Sequence, residues 1–144
     1  MSILNLSRPP PGAAVLRRWM ITGSGDLATL RMSLSRCLTR LSPLPEDLRQ
    51  EFGERVNLVA TELATNALQH GAPPAIVRLL GGDDCVILDV ADSDLFNAPR
   101  LTEPTVIDFR GRGLMISRTL STRIGWYTTT TAKHTWAVFA YVPR

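Results

Sequence analysis

Two side chains in the middle of a predicted helix have the types and the spacing of a site for a metal-bound phosphate chain. Glu62 and Asn66 are one helical turn apart in a segment that is otherwise apolar at helical spacing. At about 100° per residue they lie roughly 40° apart and beside the apolar stripe. The amide oxygen of Asn is a hard ligand that suits Mg²⁺, and a carboxylate can orient or deprotonate a nucleophile. Asn is a poor helix former, which favours a site here, although an exposed helix Glu and an Asn with a local helix hydrogen bond would give the same pair.

Two patterns further along the chain could complete such a site. A strand-like run from Cys85 to Ala91 ends at Asp92, a residue type that is common where a strand gives way to a turn. A Gly-x-Gly sequence, Gly111 and Gly113, then opens an apolar stretch with helical spacing. Free amides and the dipole at a helix N-terminus suit phosphate oxygens, although an ordinary junction between a loop and a helix has the same residues.

The elements that must position these residues follow from hydrophobic periodicity and from turn residues. Helices are predicted from Ser24-Gly25-Asp26 to Leu41, from Pro45 to His70-Gly71, and from Leu114 to Ile124. Strands are predicted over 14–21, 75–80, 85–91, 124–128 and 136–142. The sequence therefore predicts a flexible N-terminal tail over residues 1–13, which is proline-rich, and a single domain over residues 14–144. Its fold class is an α/β (α+β) two-layer sandwich, with a mixed, mostly antiparallel sheet covered on one face by helices.

Composition excludes several classes of protein. The 144 residues are 44% hydrophobic and carry a formal charge of +3, with basic residues scattered along the chain, so direct nucleic-acid binding is not expected. No apolar stretch approaches the ~20 residues that a membrane span needs, and no secretory signal is evident, which predicts a cytoplasmic protein. Cys37 and Cys85 lie in apolar patterns typical of buried thiols, and with His70 and His134 they give no zinc spacing.

The order of these motifs resembles the GHKL (Bergerat-fold) ATPase superfamily, and within it the short anti-sigma-factor serine kinases, over nearly the whole chain. The resemblance implies ATP and Mg²⁺ as cofactors. It implies that Glu62 is the catalytic base, that Asn66 is the Mg²⁺ ligand, and that Asp92 accepts the adenine amino group. Gly111 and Gly113 match the phosphate-binding glycine box. The stretch from 93 to 110 would form a lid over the nucleotide.

The same resemblance implies a regulator that binds a sigma factor and phosphorylates a serine or threonine of an anti-anti-sigma antagonist. A homodimer is among the assemblies that it allows. The chain departs from the superfamily pattern after Asp92, where Ser93 and Asp94 stand in place of a glycine-containing turn. This departure favours an alternative, a nucleotide-binding partner-switch protein that transfers no phosphate. A basic interaction module without nucleotide is a third reading. In relatives a threonine often precedes the last strand, and here that position falls on His134 or Thr135.

Overall fold

A computed structural model describes residues 4–99 and 120–142 of the chain, and in it the predicted helices and strands of the first 92 residues form almost as expected. Each strand observed in that part lies within one residue of its predicted bounds. The elements in chain order are β1 (Ala14–Ile21), α1 (Asp26–Leu41), α2 (Glu46–His70), β2 (Ala75–Gly81), β3 (Cys85–Asp92), β4 (Arg123–Thr128) and β5 (Lys133–Ala140).

The strands form one five-stranded sheet in the order β1-β2-β3-β5-β4. Every pairing between these named strands is antiparallel, and an isolated bridge between Leu6 and Trp126 is parallel. The two helices pack on one face of this sheet, so the fold is the predicted α+β sandwich. In the described part of the chain, no helix combines the length and the apolar character needed to cross a membrane.

The core lies between α2 and the helix-facing side of the sheet. Alternation along β3 directs Val86, Leu88 and Val90 into this core, and each is at most 2% exposed. The apolar stripe predicted for α2 is also buried, with no member more than 4% exposed. That stripe consists of Val56, Val59, Ala60, Leu63 and Ala67. Because the stripe fixes the rotation of α2, it also fixes which side of the helix carries Glu62 and Asn66.

The last strand starts earlier than the sequence predicts. β5 begins at Lys133 instead of Trp136 and ends at Ala140 instead of Val142. The turn before it is short because the hydroxyl of Thr129 accepts hydrogen bonds from the amides of Thr131 (3.3 Å) and Ala132 (3.1 Å). The residues predicted to complete the turn therefore join the strand, which brings Lys133 onto the helix-facing side of the sheet.

Residues 4–13, which we call the N-terminal strap, begin beside the edge strand β4, where Leu6 bridges Trp126, and continue onto the helix-free face of the sheet. The indole nitrogen of Trp136 donates to the carbonyl of Ser7 (2.8 Å), and the Ser7 amide donates to the carbonyl of Trp126 (2.8 Å). Gly12 then reverses the chain into β1 with a φ of 95°, in the region that favours glycine. The sequence predicts a flexible tail here, whereas these hydrogen bonds hold the strap on the sheet.

Candidate functional site

Glu62 and Asn66 lie on consecutive turns of α2, and each side chain is partly buried. Burial raises the pKa of Glu62 above its ordinary value of 4.5. A carboxylate with a raised pKa holds a proton more tightly near neutral pH, which makes it a stronger general base. α2 therefore presents a proton acceptor one turn before a carboxamide.

Asn66 opens onto a small cavity at the end of the sheet where β3 finishes. The cavity has a volume of about 200 Å³. Its walls come from α2, from the loop that follows β3, and from the start of β5, and they consist of Asn66, His70, Asn97, Ala98, Pro99 and Lys133. A larger cavity of about 690 Å³ lies between the outer surfaces of α1 and α2, and it contains none of the predicted site residues.

Asp92, the last residue of β3, is held in place next to this cavity. Its Oδ1 accepts a hydrogen bond from the Asp94 amide (2.8 Å), and the Ala72 amide also donates to the carboxylate. The residue is 6% exposed, and burial raises the pKa of Asp92 although these amides and the charge of Lys133 oppose the rise. A carboxylate has about four lone-pair sites, so it can accept a further N–H from a ligand.

Lys133 lines the cavity and is a candidate site residue that is absent from the sequence prediction. Its Nζ donates to the carbonyl of Asn97 (2.9 Å) and lies 3.7 Å from Asp92 Oδ2 and 3.9 Å from Asp94 Oδ2. The side chain is 4% exposed. A signal was available, because Lys133 alternates with Thr135 and with the buried residues after it in a row that should be apolar. The sequence analysis starts this strand three residues later, at Trp136, and therefore leaves Lys133 in the turn.

Thr135 and His134 face opposite sides of the sheet. Thr135 is buried on the helix-facing side with Lys133. His134 lies on the helix-free side, where its Nδ1 is 2.9 Å from Asp89 Oδ1, and Asp89 also pairs with Arg78. Of the two alternatives for the threonine that relatives often carry, Thr135 is thus the one on the same face as Asp92.

Comparison with known proteins identifies the family of the chain. A sequence model of the histidine kinase-like ATPase domain matches residues 24–139, a span that includes every predicted site residue. The chain belongs to this family. Such a domain is of the GHKL type and binds ATP. No match to the chain was found among curated proteins.

Some predicted parts of the ATPase site fall outside the described residues. They are Gly111 and Gly113 with the flanking Arg110 and Arg112, the helix from Leu114 up to residue 119, and the part of the lid from 100 to 110. Of the predicted site residues, the structure therefore describes Glu62, Asn66 and Asp92, and the roles of all five residues remain predictions.

The described residues fit a Mg²⁺ ion that is held mainly by a nucleotide. Among them, no group of three or more His, Cys, Asp or Glu side chains could hold a metal ion without other ligands. Mg²⁺ keeps several waters and takes other oxygens from phosphates, so a single protein ligand such as the amide oxygen of Asn66 is sufficient.

The end of α2 approaches Asp92 so closely that it requires a glycine. A Cβ at Gly71 would lie 2.5 Å from Asp92 Oδ2 and 2.7 Å from the carbonyl oxygen of Ala67. Both distances are far below van der Waals contact. Gly71 therefore allows the helix end and the carboxylate to share this corner of the ATPase domain.

We expect Gly71→Ala to lower the free energy of unfolding by about 1–3 kcal/mol, the usual range for overpacking. Urea denaturation measures this change. Gly53→Ala is the matched control in the interior of α2, where a Cβ would have no heavy atom within 4 Å. This control should raise stability by about 1 kcal/mol, because alanine is the better helix former. Equal effects of the two substitutions would contradict the close approach at Gly71.

Proposed function

We propose that this ATPase domain is an Mg²⁺-ATP-dependent protein serine/threonine kinase of the anti-sigma type. The observation that carries the proposal is the arrangement around the small cavity. Asn66 lines one wall, Lys133 lines another, and Lys133 is ion-paired with the buried Asp92. A metal-binding amide thus lines the cavity, and a carboxylate suited to a base amino group lies 3.7 Å from the ammonium of Lys133 in its wall.

In this proposal each residue of the described site has one task. The amide oxygen of Asn66 holds Mg²⁺, and Asp92 accepts a hydrogen bond from the adenine amino group. Glu62 accepts the proton of the incoming hydroxyl, and its partial burial supports that role. The bound metal ion neutralises charge on the phosphates. Most of the acceleration then comes from positioning and electrostatic stabilisation, as is usual in phosphoryl transfer.

The proposed partners are a sigma factor and an anti-anti-sigma antagonist, which would supply the serine or threonine hydroxyl. They rest on the resemblance of the whole motif order to anti-sigma-factor kinases. The proposal places the protein in the cytoplasm, where ATP and a sigma factor are both present. A homodimer is compatible with it.

A second candidate function is a nucleotide-binding partner switch that transfers no phosphate. The loop after Asp92 favours it, because a side chain organises this loop where relatives use glycines. The Asp94 carboxylate accepts hydrogen bonds from the amides of Phe96 (3.0 Å) and Asn97 (3.3 Å). Such a turn has a fixed geometry, whereas a glycine turn is flexible. It also places the Asp94 side chain where glycines would let the backbone approach the nucleotide.

Calorimetry with ATP and ADP, with and without Mg²⁺, tests nucleotide binding. We expect Mg²⁺ to tighten the binding of ATP in the wild-type protein and to have no such effect in Asn66→Ala. Asn57→Ala is the control on the same helix, because Asn57 donates to Ser35 (2.6 Å) on the side of α1. It should retain the effect of Mg²⁺. Absence of binding at millimolar ATP would contradict the proposed function, and binding of GTP as tight as that of ATP would contradict the role of Asp92.

A further inference from the structure

Lys133 is the only lysine in the chain, and the other fifteen basic residues of the Lys and Arg total of 16 are arginines. Its ammonium group lies in the buried corner between two carboxylates. An ammonium is compact, whereas a guanidinium is a wide planar fork, so the two groups are not interchangeable in such a corner. A lysine at this single place indicates a requirement for a small cation with freely oriented donors.

Within the part of the chain that the structure describes, the ammonium of Lys133 has N–H groups without a hydrogen-bond acceptor. It carries three N–H groups, and the carbonyl of Asn97 accepts one of them at 2.9 Å. The carboxylates of Asp92 and Asp94 lie at 3.7 and 3.9 Å, which is too long for a hydrogen bond. The pairing with these carboxylates is therefore electrostatic, and the side chain still lines the cavity.

Asp92 and Lys133 together present an acceptor and a donor next to each other. Adenine offers the complement, because its amino group is a donor and is flanked by two ring nitrogens, N1 and N7, that are acceptors. A carboxylate alone would read only the amino group. With the ammonium beside it, the corner can read two neighbouring positions of the same base.

We propose that Lys133 is a specificity-determining residue that donates a hydrogen bond to N1 or N7 of the adenine whose amino group Asp92 accepts. This inference rests on the proposed binding of ATP and extends it to a second contact with the base. In the absence of nucleotide, the same ammonium keeps the Asp92 charge compensated. Binding of the base then adds a hydrogen-bond acceptor to a cation that has two N–H groups without an acceptor among residues 4–99 and 120–142.

Calorimetry with analogues of ATP tests the proposal. The wild-type protein is compared with Lys133→Met in titrations with ATP, 1-deaza-ATP and 7-deaza-ATP, each with Mg²⁺. We expect the wild type to bind one deaza analogue about 10-fold or more weakly than ATP, the loss typical of a hydrogen bond to a charged group. Lys133→Met should bind ATP and that analogue equally well. The analogue that is discriminated against identifies N1 or N7 as the contacted atom.

The outcomes separate this inference from the proposed function. If the wild type binds ATP and both deaza analogues equally, Lys133 makes no contact with the base and the inference fails, while ATP binding stands. If Lys133→Met keeps the discrimination of the wild type, the inference also fails. If the wild type binds none of the three nucleotides, the proposed function itself fails.

A spectroscopic measurement covers the case in which Lys133→Met does not fold. Because the chain has one lysine, selective ¹⁵N-lysine labelling gives a single side-chain ammonium signal in the wild-type protein. We expect ATP to shift this signal and the discriminated deaza analogue at saturation to leave it near its nucleotide-free position. Equal shifts with both nucleotides would overturn the inference. Lys133→Arg should not restore discrimination, since its larger planar group does not fit the same corner.

Discussion

Replacing Glu62 with glutamine is expected to slow phosphoryl transfer to an antagonist protein by about 100-fold or more, because general-base catalysis contributes ~10²–10⁴-fold. The affinity for ATP should stay the same. The base acts on the incoming hydroxyl and not on the bound nucleotide, so its loss affects the reaction alone. Glutamine keeps the size of the side chain and its helical geometry. Incubation with labelled ATP and small antagonist domains encoded near the gene measures the transfer, and calorimetry measures the affinity.

Glu54→Gln is the matched control, because Glu54 is an exposed glutamate on the same helix. It should transfer phosphate at the wild-type rate. If the wild type binds both ATP and an antagonist and transfers no label, the kinase function is wrong and the partner-switch function replaces it. A Glu62→Gln variant as fast as the wild type would remove Glu62 from the mechanism.

The pH dependence of stability provides an independent control on Glu62. Burial raises the pKa of this carboxyl above 4.5 in the folded protein. The folded state therefore binds the proton more tightly than the unfolded state, and the resulting stability is present below pH 4.5 and is lost as pH rises through the raised pKa. Glu62→Gln does not titrate, so at pH 7 it should be at least as stable as the wild type. A less stable variant at pH 7 would show that glutamine disturbs the helix.

The positions of Glu62 and Asn66 could be predicted because one constraint, the burial of the apolar stripe, determines how the helix packs. The buried stripe of α2 sets the rotation of the helix, and every residue beside the stripe is then placed to within a few tens of degrees. Glu62 and Asn66 lie where that reasoning puts them, partly buried next to the core. Asp92 could also be predicted, because a mainly apolar run of eight or fewer residues, interrupted here by Asp89 alone, predicts a buried strand that ends where polar turn residues follow.

The remaining part of the site depends on contacts that have no local pattern. Lys133 enters the cavity because Thr129 shortens the preceding turn through its own hydroxyl, and the threonine-rich sequence permits several turn lengths. In the sequence, Gly71 is typical of an ordinary helix end. Its close approach to Asp92 depends on how the helix and the strand pack against each other. The strap is held by two tryptophan side chains more than a hundred residues away in the chain. Proline-rich composition alone therefore predicted a free tail.

Replacing Asp92 with asparagine is expected to weaken ATP binding by about 1–3 kcal/mol, the range for losing a charged hydrogen-bond partner. The Asp94 amide donates to Oδ1 at 2.8 Å, and the side-chain oxygen of asparagine would keep this hydrogen bond. Its NH₂ group would then take the place of Oδ2, toward Lys133 and the adenine amino group, all of which are donors. The substitution thus replaces an acceptor with a donor at the point where the base is read.

Stability should fall as well, because Asp92→Asn leaves the buried Lys133 with the Asp94 carboxylate at 3.9 Å as its remaining described counter-charge. Removing one partner of a buried ion pair costs about 3–5 kcal/mol, which urea denaturation measures. Asp83→Asn, in the exposed loop between β2 and β3, is the control and should leave both quantities unchanged. A folded Asp92→Asn variant with wild-type affinity for ATP would show that Asp92 is only a strand-end residue without contact to the nucleotide. Adenine would then have to be recognised by other residues.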